Sequence, residues 1–262
     1  VTFSLHHWPT WGNEKINTYW AAQRDMYRYL HDQTLRMANQ GLTPNEIAEQ
    51  LVLPVGLDSL FACRGYYGSL SHNVKSQYQM YFGWFDGNPA NLNPLPPVEL
   101  GRKYVEAIGG GERVIEVARK AYDEGEYRWC ATLLNNLVFA EPENQTARQL
   151  LADVYTQLGY QAESGPWRNF YLTGAKELRG EINRQVPNLV NASSVSNLGA
   201  DMLLDFCAIQ VNGMKAGDKR ICINLTFKDC GEKAMLLLNN GALNHRMGYT
   251  DASALLSLQV TR

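Results

Sequence analysis

The stretch KAYDEGEYRWCATLLNNLVFAEPENQTARQLLADVYTQLGY, residues 120–160, decides the fold class. Together with the residues just before it, it reads as three helical segments of similar length, near 112–124, 127–140 and 144–158. Gly125 supplies a turn between the first two, and Pro142 is placed to start the third. Small residues, Ala121, Ala131 and Ala152, fall where the helices would cross. The pattern is that of tetratricopeptide-type helix pairs, which stack on neighbours and often make subunit contacts. A plain helical bundle is the alternative, and both readings are all-α.

Working outward, Pro97 opens a helix to about Ile108, and Gly109-Gly110-Gly111 ends it. Further upstream, Ile16, Tyr19, Trp20, Tyr27, Leu30, Thr34 and Met37 form an apolar stripe on a long helix, about Glu14 to Asn39. Asn13 can cap this helix and Gly41 can close it. In TPNEIAEQL, Thr43 is an N-cap, Pro44 takes the first helical position and Glu46 completes a capping box. Pro54 stops that helix. The aromatic stretch from Arg64 to Pro89 has a helical centre, followed by a Pro- and Asn-rich loop from Gly87 to Pro97.

Downstream, VPNLVNASSVSN (186–197) has the composition of a linker, and a helix follows near Ala200 to Phe206. ICINLTF (221–227) alternates, with Ile221, Ile223, Leu225 and Phe227 on one face. Asn240-Gly241 in AMLLLNNGALNHR is a strong hairpin signal, and ALLSLQV (254–260) alternates less cleanly. The expected fold is mainly α with a C-terminal α+β unit holding three to five antiparallel strands. Three zones follow: 1–95, 96–180 and 185–262.

With 262 residues, 45% hydrophobic and 19% charged, the chain has an ordinary globular composition. A net charge of -2 gives no general electrostatic pull toward nucleic acid or an anionic membrane. No stretch approaches the roughly 18 apolar residues of a membrane span. LRMANQGLTPNEIAEQLVLP resembles a helix-turn-helix, but its second half has two Glu and no Lys or Arg to meet phosphates, so nucleic acid is not an expected partner. The five cysteines are widely spaced without a C-x-x-C, which points to mostly buried free thiols rather than disulfides or a zinc ribbon.

Histidine carries most of the candidate chemistry. His6 and His7 follow a short apolar run, Val1 to Leu5, and precede Trp8, Pro9 and Gly12. Histidine at a strand end before a Pro/Gly turn can present a metal ligand, but zinc needs three or four protein ligands. His72 follows Arg64 and two tyrosines, with Lys75 a turn on; Arg, Lys and His together suit a small oxyanion such as phosphate or sulfate. His31 reads as structural or surface, and His245 as exposed beside Arg246. There is no G-x-S-x-G, P-loop or H-E-x-x-H.

Long runs nevertheless resemble one family. HHWPTWGN, RDMYRYLHDQTLRMANQGLTPNEIAEQL, RGYYGSLSHNVKSQYQMYFGWFDGNPANLNPLPP and FAEPENQTARQLLADVYTQLGYQAESGPWRNFYLTGAKEL are similar to the alkylsulfatases of the metallo-β-lactamase superfamily. The resemblance covers nearly the whole chain. It implies zinc-dependent hydrolysis of alkyl sulfates such as dodecyl sulfate, with two zinc ions activating a water or hydroxide. It also implies that 1–95 is the tail of the catalytic domain with connecting helices, that 96–180 is a helical domain forming a homodimer, and that 185–262 is an incomplete sterol-carrier-like domain gathering apolar tails.

In that family a His-x-His-x-Asp-His motif, two carboxylates and a final histidine hold the metals. Here His6 or His7 matches the final histidine and the rest of the set is absent, so the resemblance implies a C-terminal fragment, inactive alone. Arg64, Tyr67 and His72 are expected near the sulfate end or the mouth of the site. The alternative is a non-catalytic module for dimerisation and apolar-ligand binding. Compartment is not encoded in these residues, although bacterial relatives of that family are often periplasmic or secreted.

Overall fold

The computed structural model describes residues 1–182, 195 and 197–261. The chain divides into two compact units, Val1–Asn183 and Arg184–Arg262, so the first unit takes in both the first and second sequence zones.

The first unit opens with a single antiparallel bridge between Thr2 and Thr10, not the strand expected from the apolar run. Helix α1 (Asn13–Ala38) follows. Asn13 is its first helical residue, not its cap. Gly12 holds the cap position at φ 87°, a left-handed conformation open to glycine, and no side chain caps the helix. Of the apolar stripe, Leu30, Thr34 and Met37 are buried, while Trp20 and Tyr27 face outward.

Helix α2 (Pro44–Gln50) carries the expected capping box. Thr43 Oγ1 accepts from Glu46 N–H, while Thr43 N–H donates to Glu46 Oε2 at 2.8 Å. A short turn, α3 (Val55–Asp58), a 3-10 turn (Phe61–Cys63) and helix α4 (Leu70–Phe82) complete this part. Leu30, Met37, Ile47, Leu51, Val74 and Tyr78 form the core that joins α1, α2 and α4.

Five helices then pack around a second, larger core: α5 (Pro97–Ile108), α6 (Gly111–Asp123), α7 (Tyr127–Ala140), α8 (Gln145–Gln161) and α9 (Gly165–Arg179). Leu134, Leu137, Leu151 and Val154 lie at its centre. Helices α5 and α7 meet closely at Gly101, where a Cβ would fall 2.5 Å from the Asn136 carbonyl oxygen. Pro142 does not start α8; Asn144 does, its side chain accepting from Ala147 N–H at 3.0 Å. Helix α9 was not among the expected segments. Ser164 caps it, Pro166 sits in its first turn and Gly180, at φ 74°, ends it.

The stretch expected to be a linker, 186–197, lies outside the described residues apart from Val195 and Asn197. In the second unit, α10 (Ala200–Gln210) and α11 (Gly213–Ala216) precede β1 (Ile221–Phe227), β2 (Lys233–Asn239), β3 (Ala242–Met247) and β4 (Leu256–Val260). The strand order is β3-β2-β1-β4. Asn240 (φ 50°) and Gly241 (φ 75°) make the β2–β3 turn, as the sequence predicts for a hairpin whose twist favours two left-handed residues.

The antiparallel expectation fails at the edge: β4 pairs parallel to β1. The connection after β3 doubles back across the sheet before β4 begins. Asn224 holds it there, donating to the Asp251 carbonyl and accepting from Asp251 N–H, each at 2.8 Å. Ala200, Leu204, Phe227 and Ala234 form the core between α10 and the sheet. Cys63 and Cys130 are buried, but Cys207 and Cys230 are exposed, so the expected burial of most thiols holds only in the helical unit.

Candidate functional site

A cleft of about 480 Å³ lies where the N-terminal segment, α1 and the residues 62–70 meet. Helix spacing brings Tyr19 and Gln23, one turn apart, to the same wall. Gln23 Nε2 donates to the Ala62 carbonyl at 2.7 Å, tying α1 to the opposite wall. His6, His7, Arg64 and Tyr67 all line the cleft, so four of the five expected site residues come together.

His6 is a non-glycine residue at φ 64°, a strained conformation of the kind that gathers at functional sites. Its ring stacks on Tyr67 with centroids 3.6 Å apart and planes 10° apart. His7 turns the other way. Its Nδ1 lies 2.9 Å from the Tyr66 hydroxyl, and its ring stacks against Tyr19 at 5.0 Å. The two histidines thus share no tyrosine: Tyr67 holds His6, and Tyr66 and Tyr19 hold His7. Burial, with Tyr19 and Cys63 nearby, pushes the Tyr66 phenol above its ordinary range, so it is protonated at neutral pH. Burial likewise raises the Cys63 thiol.

Arg64 stands at the cleft and pairs with Glu163 at 2.6 Å. Among the described residues the lining contains no Asp or Glu, and its one fixed cation, Arg64, keeps further guanidinium donors beside its pairing with Glu163. Such a lining suits an anion. His72 does not join this group. It sits in the first turn of α4 outside the lining, and its Nδ1 accepts from the Trp167 indole N–H at 3.1 Å. Lys75 lies 6.0 Å from the Trp167 ring centroid. His72 and Lys75 therefore meet at α9, not over the cleft.

Sequence reasoning missed Tyr19 and Tyr66 as partners of His7, and Glu163 as partner of Arg64. The pair Tyr66-Tyr67 was visible, but two adjacent rings holding two adjacent histidines is a tertiary fact. Among the remaining histidines, His31 bridges Asp32 (2.8 Å) and Tyr81 (2.8 Å), as a structural residue would. His245 is not exposed: its side chain retains 13% accessibility, and its Nε2 lies 2.7 Å from Asp201 of α10. Strand alternation explains this, because Leu243, His245 and Met247 share the face covered by the helix.

Two imidazoles offer two nitrogen donors, fewer than zinc requires. Among the described residues, no group of three or more His, Cys, Asp or Glu is placed to hold a metal ion. These residues do not by themselves fit a zinc centre. Among them, too, no helix is long and apolar enough to cross a membrane.

Comparison with known proteins follows the two units. Residues 43–181 match the family model described as alkyl sulfatase dimerisation, and residues 188–262 match the one described as alkyl sulfatase C-terminal. A linear primary-alkylsulfatase of Pseudomonas sp. is 48% identical over 100% of this chain and 39% of its own length. An alkyl/aryl-sulfatase of Saccharomyces cerevisiae is 47% identical over 100% of this chain and 40% of its own. The solved structure of a stereoselective inverting sec-alkylsulfatase from Pseudomonas sp. superposes with a TM-score of 0.94 at 44% identity, covering 98% of this chain and 40% of that one. The chain thus spans about 40% of the length of these relatives.

Proposed function

Because the chain belongs to the alkylsulfatase family, whose dimerisation and C-terminal portions it carries, we propose that it is part of an alkyl sulfate ester hydrolase. The reaction takes an alkyl sulfate and water to an alcohol and inorganic sulfate. The observation that supports this reading is identity spread over the whole chain, 44–48% against three alkylsulfatases.

Arg64 and Tyr67 receive the sulfate head, since both line a cleft whose described residues include no carboxylate. His6 or His7 supplies one ligand to a zinc pair, and the remaining ligands come from outside this chain. Helices α2 to α9 hold two copies together, and the sheet unit gathers the alkyl tail. On this reading the chain alone does not turn over substrate. His72, bonded to Trp167 away from the cleft, receives no direct contact with sulfate.

The test is sulfate release from dodecyl sulfate by a natural-length protein carrying this chain, beside the 262-residue chain alone. Release by the first and not by the second is expected, with about two zinc ions per subunit in the first and near zero in the second. Turnover by neither would overturn the reading. Arg64→Ala in the natural-length protein should raise KM about tenfold, and an unchanged KM would remove Arg64 from the substrate site.

A second reading is a non-catalytic module for dimerisation and apolar-ligand binding. It is favoured by the exposed apolar side chains of the sheet unit, among them Met202, Ile209, Met214, Leu256 and Leu258. Saturable binding of an uncharged long-chain alcohol by this chain, with no sulfate release by the natural-length protein, would favour it.

A further inference from the structure

Three consecutive residues outside the cleft grip the segment that carries Arg64, Tyr66 and Tyr67. Glu163 Oε1 takes the Arg64 guanidinium at 2.6 Å. The Ser164 hydroxyl donates to the Tyr67 carbonyl at 2.6 Å. Gly165 N–H donates to the Tyr66 carbonyl at 2.8 Å. The Glu163 carboxylate also reaches the backbone beside Arg64: a Cβ on Gly65 would lie in ordinary contact with Glu163 Oε2, at 3.8 Å. Ser164 is 3% exposed, and its hydroxyl is partnered on both sides, accepting from Trp167 N–H as the α9 cap while donating to the Tyr67 carbonyl. The start of α9 therefore backs the segment that forms this wall of the cleft.

From this we infer that Glu163 is a positioning residue for substrate binding: it acts through Arg64, holding the guanidinium at the cleft lip, with Ser164 and Gly165 fixing the backbone behind it. The inference rests on the assignment of Arg64 to the sulfate head. A guanidinium carries five N–H donors in a rigid fork. Binding one edge to a carboxylate sets the plane of the fork and leaves further donors for an incoming sulfate. An arginine without that anchor would lose rotamer freedom on each binding event, which weakens binding without altering the chemical step.

Two kinds of influence by Glu163 predict opposite outcomes. If it only competed with sulfate for Arg64, removing its charge would tighten binding. If it positions Arg64, shape matters more than charge, because a glutamine can still accept from the guanidinium. The experiment is steady-state kinetics of the natural-length enzyme on dodecyl sulfate, with inorganic sulfate as competing probe. Glu163→Ala should raise KM and the sulfate inhibition constant about three- to fivefold with kcat unchanged, the size of an exposed ion pair. Glu163→Gln should stay within about twofold of the parent on the same scale. In an Arg64→Ala background, Glu163→Ala should add nothing further. An unchanged or lowered KM for Glu163→Ala, or an effect that adds in full to Arg64→Ala, would overturn the inference. If Arg64→Ala alone leaves KM unchanged, the assignment of the sulfate site fails first and takes the inference with it.

Discussion

The helical core around α7 and α8 and the first twelve residues of the same unit use apolar side chains in opposite ways. In the core, Leu134, Leu137, Ala147 and Val154 are fully enclosed. At the N-terminus, Phe3, Leu5, Trp8 and Trp11 are 65–89% exposed, although Leu5 lines the cleft. The core is held by close packing from five helices. The N-terminal segment is held by one bridge, by the Ser4–Tyr19 hydroxyl pair at 3.0 Å and by contacts of its two histidines. Stability and site geometry therefore reside in different places, and substitutions should separate them.

The largest effect belongs to the core. Leu134→Ala should lower unfolding free energy by about 2–5 kcal/mol through lost burial and a residual cavity, read by denaturant titration. Trp8→Ala should move it by less than about 0.5 kcal/mol, as for an exposed surface position. Equal losses would show that the N-terminal segment is part of the cooperative core.

Thiol labelling sharpens the same contrast. Cys130 is enclosed, donates to the Ala118 carbonyl at 3.2 Å, and has its pKa pushed up by burial to about 11. The thiolate is the reactive form, so at pH 8 Cys130 should label at least about a hundredfold more slowly than the exposed Cys207 and Cys230. Mass spectrometry of timed alkylation reads the order, and early labelling of Cys130 would contradict an intact core.

A smaller effect of opposite sign is expected at Thr34. It is fully buried in α1, and its hydroxyl has no hydrogen-bond partner among the described residues. Thr34→Val keeps the shape and removes the orphan group, and should stabilise by about 1 kcal/mol. A lower melting temperature would show that the hydroxyl is satisfied in solution.

The smallest effect is a pH dependence at α2. The backbone and side-chain hydrogen bonds from Thr43 hold the Glu46 carboxyl below its usual range. A depressed folded pKa means the contribution is present above the ordinary glutamate pKa and is lost as pH falls through the lower, folded value. The parent should thus lose stability in acid more than Glu46→Gln does, and parallel acid profiles for the two would remove the Glu46 carboxylate from that balance.

Much of the fold was legible because it is written in local chemistry. Thr43-Pro44-Glu46, Pro97 with Gly109, and Asn240-Gly241 each fix an element boundary through side chains a few residues apart. The parallel pairing of β4 was not legible, since it depends on where a connection crosses the sheet. At the cleft, His6, His7, Arg64 and Tyr67 could be named because their types carry chemistry. Their partners could not, because Glu163 lies 99 residues from Arg64 in sequence and meets it only after α9 docks. His72 shows the reach of tertiary structure from the other side: it is close to Arg64 in sequence, but the first turn of α4 brings its ring to Trp167.

The parallel edge strand also sets an order in time. The β2–β3 hairpin needs only a two-residue turn and can close in about 1–10 μs. The β1–β4 pairing joins Ile223 to Leu256, and its connection must first cross the sheet. Pairings between distant residues form late, because loop-closure entropy is lost before their contacts are gained. Strand β4 is thus the last to arrive, and until it does β1 is the open edge on which a nascent chain is vulnerable to pairing with a neighbour.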